Sequence, residues 1–107
     1  MAKLPEKIKW SFRASLELVE IHEYLSENSS KPVADNYING ILKTVDQLVI
    51  NPERYAFCRS AKLQKAKIRC INHKKKHIVF YQIKDSIEIL AVIHARRNPK
   101  LFDEIIS

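Results

Sequence analysis

Apolar residues recur along this chain with two different periods, and the switches between them mark out its elements. Ile8, Trp10 and Phe12 alternate with Lys7, Lys9 and Ser11. A period of two predicts a strand with one buried face. The period then lengthens: Ala14, Leu18, Ile21 and Leu25 form one stripe of a helix, with Glu17, Glu20, Glu23 and Glu27 on its other sides. Asn28-Ser29-Ser30 ends that helix, and Ser30 caps a second, whose first turn tolerates Pro32 because the missing N–H has no helical partner there. Ala34, Tyr37, Ile38, Ile41, Leu42, Val45, Leu48 and Val49 carry the second helix to a stop at Asn51-Pro52. Gly40 weakens it by about 1 kcal/mol relative to Ala. Two helices joined so closely predict an antiparallel hairpin.

Residues Pro52 to Lys65 show no period, and Tyr55 and Phe57 are expected to fold back onto the core. From Ala66 the period returns to two, with Ala66, Ile68 and Cys70 alternating with Lys67, Arg69 and Ile71. That predicts a strand with a basic outer face. A turn at Asn72-His73-Lys74-Lys75 leads to the apolar run His77 to Ile83, and Lys84-Asp85-Ser86 reverses the chain into Ile87 to Ile93. Both runs read as central strands. Asn98-Pro99 opens a short terminal turn or helix with Leu101, Phe102, Ile105 and Ile106 on its apolar side. The expected class is α+β in the order β-α-α-β-β-β. A helical hairpin covers one face of a small antiparallel sheet, and a basic face is left for solvent or a ligand.

Charge sharpens that expectation. Residues 1–58 carry 7 basic and 8 acidic side chains, whereas residues 59–107 carry 12 and 4. Between Arg59 and Lys76 there are eight basic residues and no acidic one. Such a block attracts nucleic acid or an acidic protein, or simply forms a solvated face. A length of 107 residues predicts one domain spanning 1–107. No apolar run reaches the roughly 20 residues of a membrane span, and Met1 to Lys9 lacks a secretory signal's apolar stretch. The expected location is the cytoplasm, where Cys58 and Cys70 would stay reduced as small buried hydrophobes.

The pattern Trp10-Ser11 followed by Ala14, Leu18, Ile21 and Tyr24 resembles the first strand and helix of RelE/ParE-superfamily toxins. Lys67-Ile68-Arg69, His77-Ile78-Val79-Phe80-Tyr81, Ile87-Glu88-Ile89-Leu90 and His94-Ala95-Arg96-Arg97-Asn98-Pro99 resemble that family's sheet and its end. The resemblance implies the toxin of a type II, plasmid-stabilisation-type module, able to arrest growth and silenced by a cognate antitoxin with an acidic segment. It also implies one of two targets. RelE-like members cut messenger RNA in the ribosomal A site as metal-independent endoribonucleases. ParE-like members poison DNA gyrase without nuclease chemistry.

Metal-free RNA cleavage needs a base for the 2′-hydroxyl, cations for the transition state and an acid for the leaving oxygen. By resemblance, Arg69 and Arg96 or Arg97 match the family's arginines, and Lys65 and Lys67 can stand for its lysines. Phe102 falls where the nucleases keep a tyrosine, and Phe has no proton to give. His94 is the nearby imidazole, the side-chain type suited to acid–base work around neutral pH. This departure favours the ParE-like branch, with an antitoxin-binding relic as a further alternative. Arg59, Lys62, Lys65, Lys67, Arg69, Arg96 and Arg97 are the expected contacts for nucleic acid or antitoxin, and Arg69 can pair with a carboxylate as well as with phosphate. Of Phe80 and Tyr81, one points inward and one outward; an outward Tyr81 can stack on a base or a partner, or simply pack. Cys70, His73 and His77 lack the compact spacing of a zinc site. A chain with one Gly has no phosphate loop, and no cofactor is implied.

Overall fold

In the computed structural model, residues 7–106 are described. Met1 to Glu6, part of the N-terminal segment considered above, and Ser107 lie outside them. Strand β1 spans Ile8–Trp10, helix α1 Phe12–Asn28, helix α2 Lys31–Asp46 and helix α3 Ala61–Lys65. Strands β2, β3 and β4 span Arg69–His73, His77–Ile83 and Ile87–His94. Short 3-10 helices cover Gln47–Val49 and Pro99–Ile106. The sheet order is β1-β4-β3-β2.

The meander β2-β3-β4 is antiparallel as expected, but β1 joins β4 in parallel, so the sheet is mixed. The helical hairpin supplies the crossover that parallel pairing requires. Phe12 does not continue the strand; it opens α1 and is 85% exposed. Ser11 accounts for the switch. Its hydroxyl accepts the Ala14 N–H at 3.0 Å as N-cap and donates to the Leu90 carbonyl at 2.9 Å. Ser30 caps α2 in the same way through Val33 N–H.

Ala14, Tyr37, Ile41, Val45 and Leu48 from the helices meet Ile71, Val79, Tyr81, Ile87, Ile89 and Val92 on one face of the sheet. The opposite face is not the open basic surface expected. It carries Ile68, Phe80, Ala91 and Ile93, which pack with Leu63 of α3 and with Phe102, Ile105 and Ile106 of the terminal helix. Burying each large apolar side chain is worth about 1.5–3 kcal/mol, so that face does not stay in water. Ser60 ties the two covering pieces together, donating to Asp103 Oδ1 at 2.5 Å. A bulge on β4 opposes Ala91 to Phe80 and Ile89 to Tyr81, leaving Leu90 as the extra residue.

The region from Ala66 also differs from its expected form. Lys67 has φ 59° and sits one residue past the α3 C-cap. Ile68 N–H bonds to the Leu63 carbonyl and Lys67 N–H to the Gln64 carbonyl. This is a Schellman ending, completed by apolar contact between Leu63 and Ile68. Strand pairing with β3 therefore begins at Arg69. Cys58 and Cys70 are not separate thiols; they form a disulfide with Cα atoms 5.1 Å apart. Their neighbours place them: Cys58 N–H donates to the Ile68 carbonyl and Cys70 N–H to the Ala56 carbonyl, bringing the segment before α3 alongside β2.

Candidate functional site

β1 is three residues long, and past Trp10 the chain leaves the sheet to form α1. The second half of β4 is thus flanked by a helix where β1 would have continued. Glu17 of α1 reaches across, its Oε1 accepting the Val92 N–H at 2.9 Å. Beyond this contact lies a groove of about 610 Å³ between α1, the end of β4 and the tip of the β2-β3 hairpin. Its α1 wall presents Glu20, Ile21, Tyr24 and Leu25; its other side presents Lys75, Lys76, His77, His94, Arg96 and Arg97.

Three histidines cross the sheet in one row beside this groove. The register pairs His73 with His77 and His77 with His94. The His77 and His94 rings are 5.1 Å apart at 73°. Tyr37 of α2 packs edge-on against His73 at 5.1 Å and His77 at 5.5 Å. Its hydroxyl lies 2.6 Å from His77 Nδ1. Burial pushes the Tyr37 pKa up. Burial, then the cationic forms of His94 and His73 and the Lys76 ammonium, lowers His77 to about 4. Both groups are neutral at pH 7. The Tyr37 proton has no second acceptor among the described residues, so the hydroxyl donates to Nδ1 and the His77 proton sits on Nε2. His94 has the same tautomer when neutral, because its Nδ1 accepts the Arg96 backbone N–H at 3.1 Å. His73 is 8% exposed, and its Nε2 is buried with no hydrogen-bond partner; burial, then Lys74, lowers its pKa.

The residues singled out from the sequence separate into groups. Arg96 and Arg97 line the groove and His94 stands between them and His77. Arg59, Lys62, Lys65 and Lys67 are exposed around α3. Lys67 precedes β2 and Lys74 follows it, so that five-residue strand, about 17 Å long, separates the two basic regions. Arg69 belongs to neither. It donates to the Tyr55 carbonyl at 2.6 Å and the Glu53 carbonyl at 3.3 Å, and its guanidinium lies 4.3 Å from the Phe57 ring centre. It holds the segment after α2 against β2.

Tyr81 is not an outward platform. It is 0% exposed and its hydroxyl donates to the Pro52 carbonyl at 2.7 Å. Phe80 and Tyr81 do point to opposite faces, but Tyr81 is the one under the helical hairpin, with Tyr37, Ile41 and Val45, and the outward Phe80 is enclosed by the second cover. Phe102 packs on Phe80 with ring centres 5.2 Å apart. Among the described residues no group of three or more His, Cys, Asp or Glu side chains could hold a metal ion. No helix among them is long and apolar enough to cross a membrane.

Tyr37, Glu17 and the alignment of His73 and His77 with the expected His94 are the site features the sequence reading missed. One signal was available. His73 and His77 flank a tight turn symmetrically, so a hairpin must pair them.

A family model described as the ParE toxin of type II toxin-antitoxin systems, parDE, matches residues 8–99. Among solved structures, the fold is similar to a chain of the chromosomal ParDE TA system from P. aeruginosa, with a TM-score of 0.70 and 16% sequence identity, covering 84% of this chain and 96% of that one. No curated protein matches.

Proposed function

The chain belongs to the ParE toxin family of type II toxin-antitoxin systems, and on that premise we propose that it acts in the cytoplasm by binding DNA gyrase, without hydrolysing its target. A cognate antitoxin silences it by laying an acidic, amphipathic segment in the groove beside α1. The observation that carries this reading is the groove itself. Ile21, Tyr24 and Leu25 offer an apolar wall, and Lys75, Lys76, Arg96 and Arg97 a cationic rim. Apolar anchors give affinity and the rim charges steer an acidic partner.

Two contacts favour binding over cleavage. Arg69, the arginine expected on phosphate, donates to two backbone carbonyls. Phe102, at the position expected for a proton donor, is packed on Phe80. Purified protein added to DNA gyrase should abolish supercoiling at stoichiometric concentrations. Unchanged supercoiling would remove gyrase as the target.

One observation keeps a nuclease reading in play. His94 is exposed beside Arg96 and Arg97, a titratable group among cations. Ribosome-dependent messenger cleavage predicts codon-aligned breaks in primer extension that vanish on His94→Ala or Arg96→Ala. Intact messages during growth arrest exclude it, and overproduction without growth arrest points to a relic that only binds antitoxin.

A further inference from the structure

We propose that His77 and His94 together form an anion-binding subsite in the lining of the groove, and that its ligand is a single carboxylate on the protein segment docked there. The proposal rests on reading the groove as an antitoxin-docking surface. It adds which chemical group of the partner is read, and by which atoms.

The geometry fixes what the two imidazoles can offer. His77 Nδ1 is taken by the Tyr37 hydroxyl and His94 Nδ1 by the Arg96 backbone N–H. A ring whose Nδ1 accepts a hydrogen bond keeps its proton on Nε2, so each ring presents Nε2–H as its remaining polar group. Strand register sets the rings next to each other, in edge-to-face contact with centres 5.1 Å apart. Both rings line the groove, with Lys76 and Arg97 beside them. Two donors in a cationic setting are made for an acceptor with two oxygens.

The facing wall selects the source of that acceptor. Glu20 lines the groove from α1, next to Ile21 and Tyr24. A nucleic-acid strand carries a negative charge every ~3.4 Å, and its neighbouring phosphates would be driven against Glu20. A polypeptide can place one carboxylate over the imidazoles and apolar side chains against Ile21 and Tyr24. The paired acidic and basic walls therefore favour a protein ligand with localised negative charge.

The test uses the full-length 15N-labelled chain and long-range 1H–15N spectra at pH 7.5. Both His77 and His94 should show the Nε2–H tautomer; Nδ1–H on either overturns the proposal. Acetate, titrated at constant ionic strength against chloride, should shift both imidazoles saturably. His94→Ala, at an exposed position, should weaken acetate binding at least fivefold with an unchanged circular dichroism spectrum. Tyr37→Phe should turn His77 into a tautomer mixture while leaving His94 as it was. Shifts that chloride alone reproduces, or acetate binding unchanged in His94→Ala, would show an adventitious ion only. Inorganic phosphate binding tenfold more tightly than acetate would reassign the subsite to nucleic acid. The docking reading fails separately: a complex with the co-encoded antitoxin that leaves the Ile21 and Tyr24 resonances unmoved would sink it without touching the tautomers.

Discussion

His77 carries its neutrality as part of the fold, because its Nδ1 is an acceptor for Tyr37 and burial lowers its pKa to about 4. The unfolded chain takes up that proton near the usual pKa of 6.5, the folded chain only near 4. Above pH 6.5 neither state binds it and stability is unaffected. Between 6.5 and 4 the unfolded state binds more protons, so stability falls as the pH falls, by about 3 kcal/mol across the window at most and about 2 once solvent screening of the partly exposed ring is allowed for. Urea denaturation at pH 7.5 and 4.5 should show this loss in the wild type and a clearly smaller one in His77→Gln. Equal losses in both would mean that other groups dominate. The neighbouring His73 explains Gly40, the one weak point in the α2 pattern. A methyl group on Gly40 would lie 3.3 Å from His73 Cε1 and 3.4 Å from Nε2. That imidazole is buried and held edge-on by Tyr37, so it yields little. Gly40→Ala should therefore fail to deliver the helix-propensity gain of about 1 kcal/mol. The same substitution in a His73→Ala background should recover it. A double-mutant cycle by urea denaturation measures the coupling, and zero coupling would dismiss the contact.

At the scale of elements, the β2-β3 hairpin pays a local cost to present cations. Lys76 N–H closes a turn on the His73 carbonyl, and its central residues Lys74 and Lys75 have φ 52° and 60°. Asn-Gly is the usual choice for two such residues. Lys74→Asn with Lys75→Gly should stabilise the protein by about 1 kcal/mol. It should also weaken antitoxin binding, because Lys75 leaves the groove rim. Gains in both stability and affinity would refute the role given to the rim. The segment before β2 makes a different prediction. Cys58 and Cys70 close a loop of sequence separation 12, and a cross-link of that size is worth about 3 kcal/mol. Reduction should lower Tm by roughly 10 °C, a shift that Cys58→Ala with Cys70→Ala reproduces without reductant. Element order and both long helices were legible because the apolar period runs through each of them and Ser30 caps the second; the Ser11 cap of α1 was hidden because Phe12 fits the strand's alternation. α3 was not, because five residues, Ala61–Lys65, are too short to show a period. The second cover was half legible. The unbroken apolar run of β3 implied two buried faces, yet nothing local to Phe102 or Ile105 says that they fold back over Phe80. The groove residues were legible singly, as Arg96 and Arg97, but their partners on α1 depend on where β1 ends.

At the scale of the whole molecule, the net charge of +7 resolves into two regions and not one face. One surrounds α3 with Arg59, Lys62, Lys65 and Lys67; the other rims the groove with Lys75, Lys76, Arg96 and Arg97. If bulk charge governs antitoxin capture, the regions are interchangeable. If the groove does, they are not. Lys76→Glu with Arg97→Glu, and Lys62→Glu with Lys65→Glu, each take the net charge from +7 to +3. All four positions are exposed, so neither variant loses core packing. Long-range steering acts on association rate and is screened within about 8 Å at physiological salt. Short contacts with an acidic segment persist through that screening. Calorimetric titration with the co-encoded antitoxin at 0.15 M salt should show at least a tenfold weaker Kd for the groove variant. The α3 variant should stay within about threefold of the wild type. Raising the salt to 0.5 M should narrow the gap without closing it, because Ile21, Tyr24 and Leu25 hold the segment in register against the altered rim. Equal weakening of both variants at both salts would mean that capture is governed by total charge, and would leave the α1 groove without its proposed occupant.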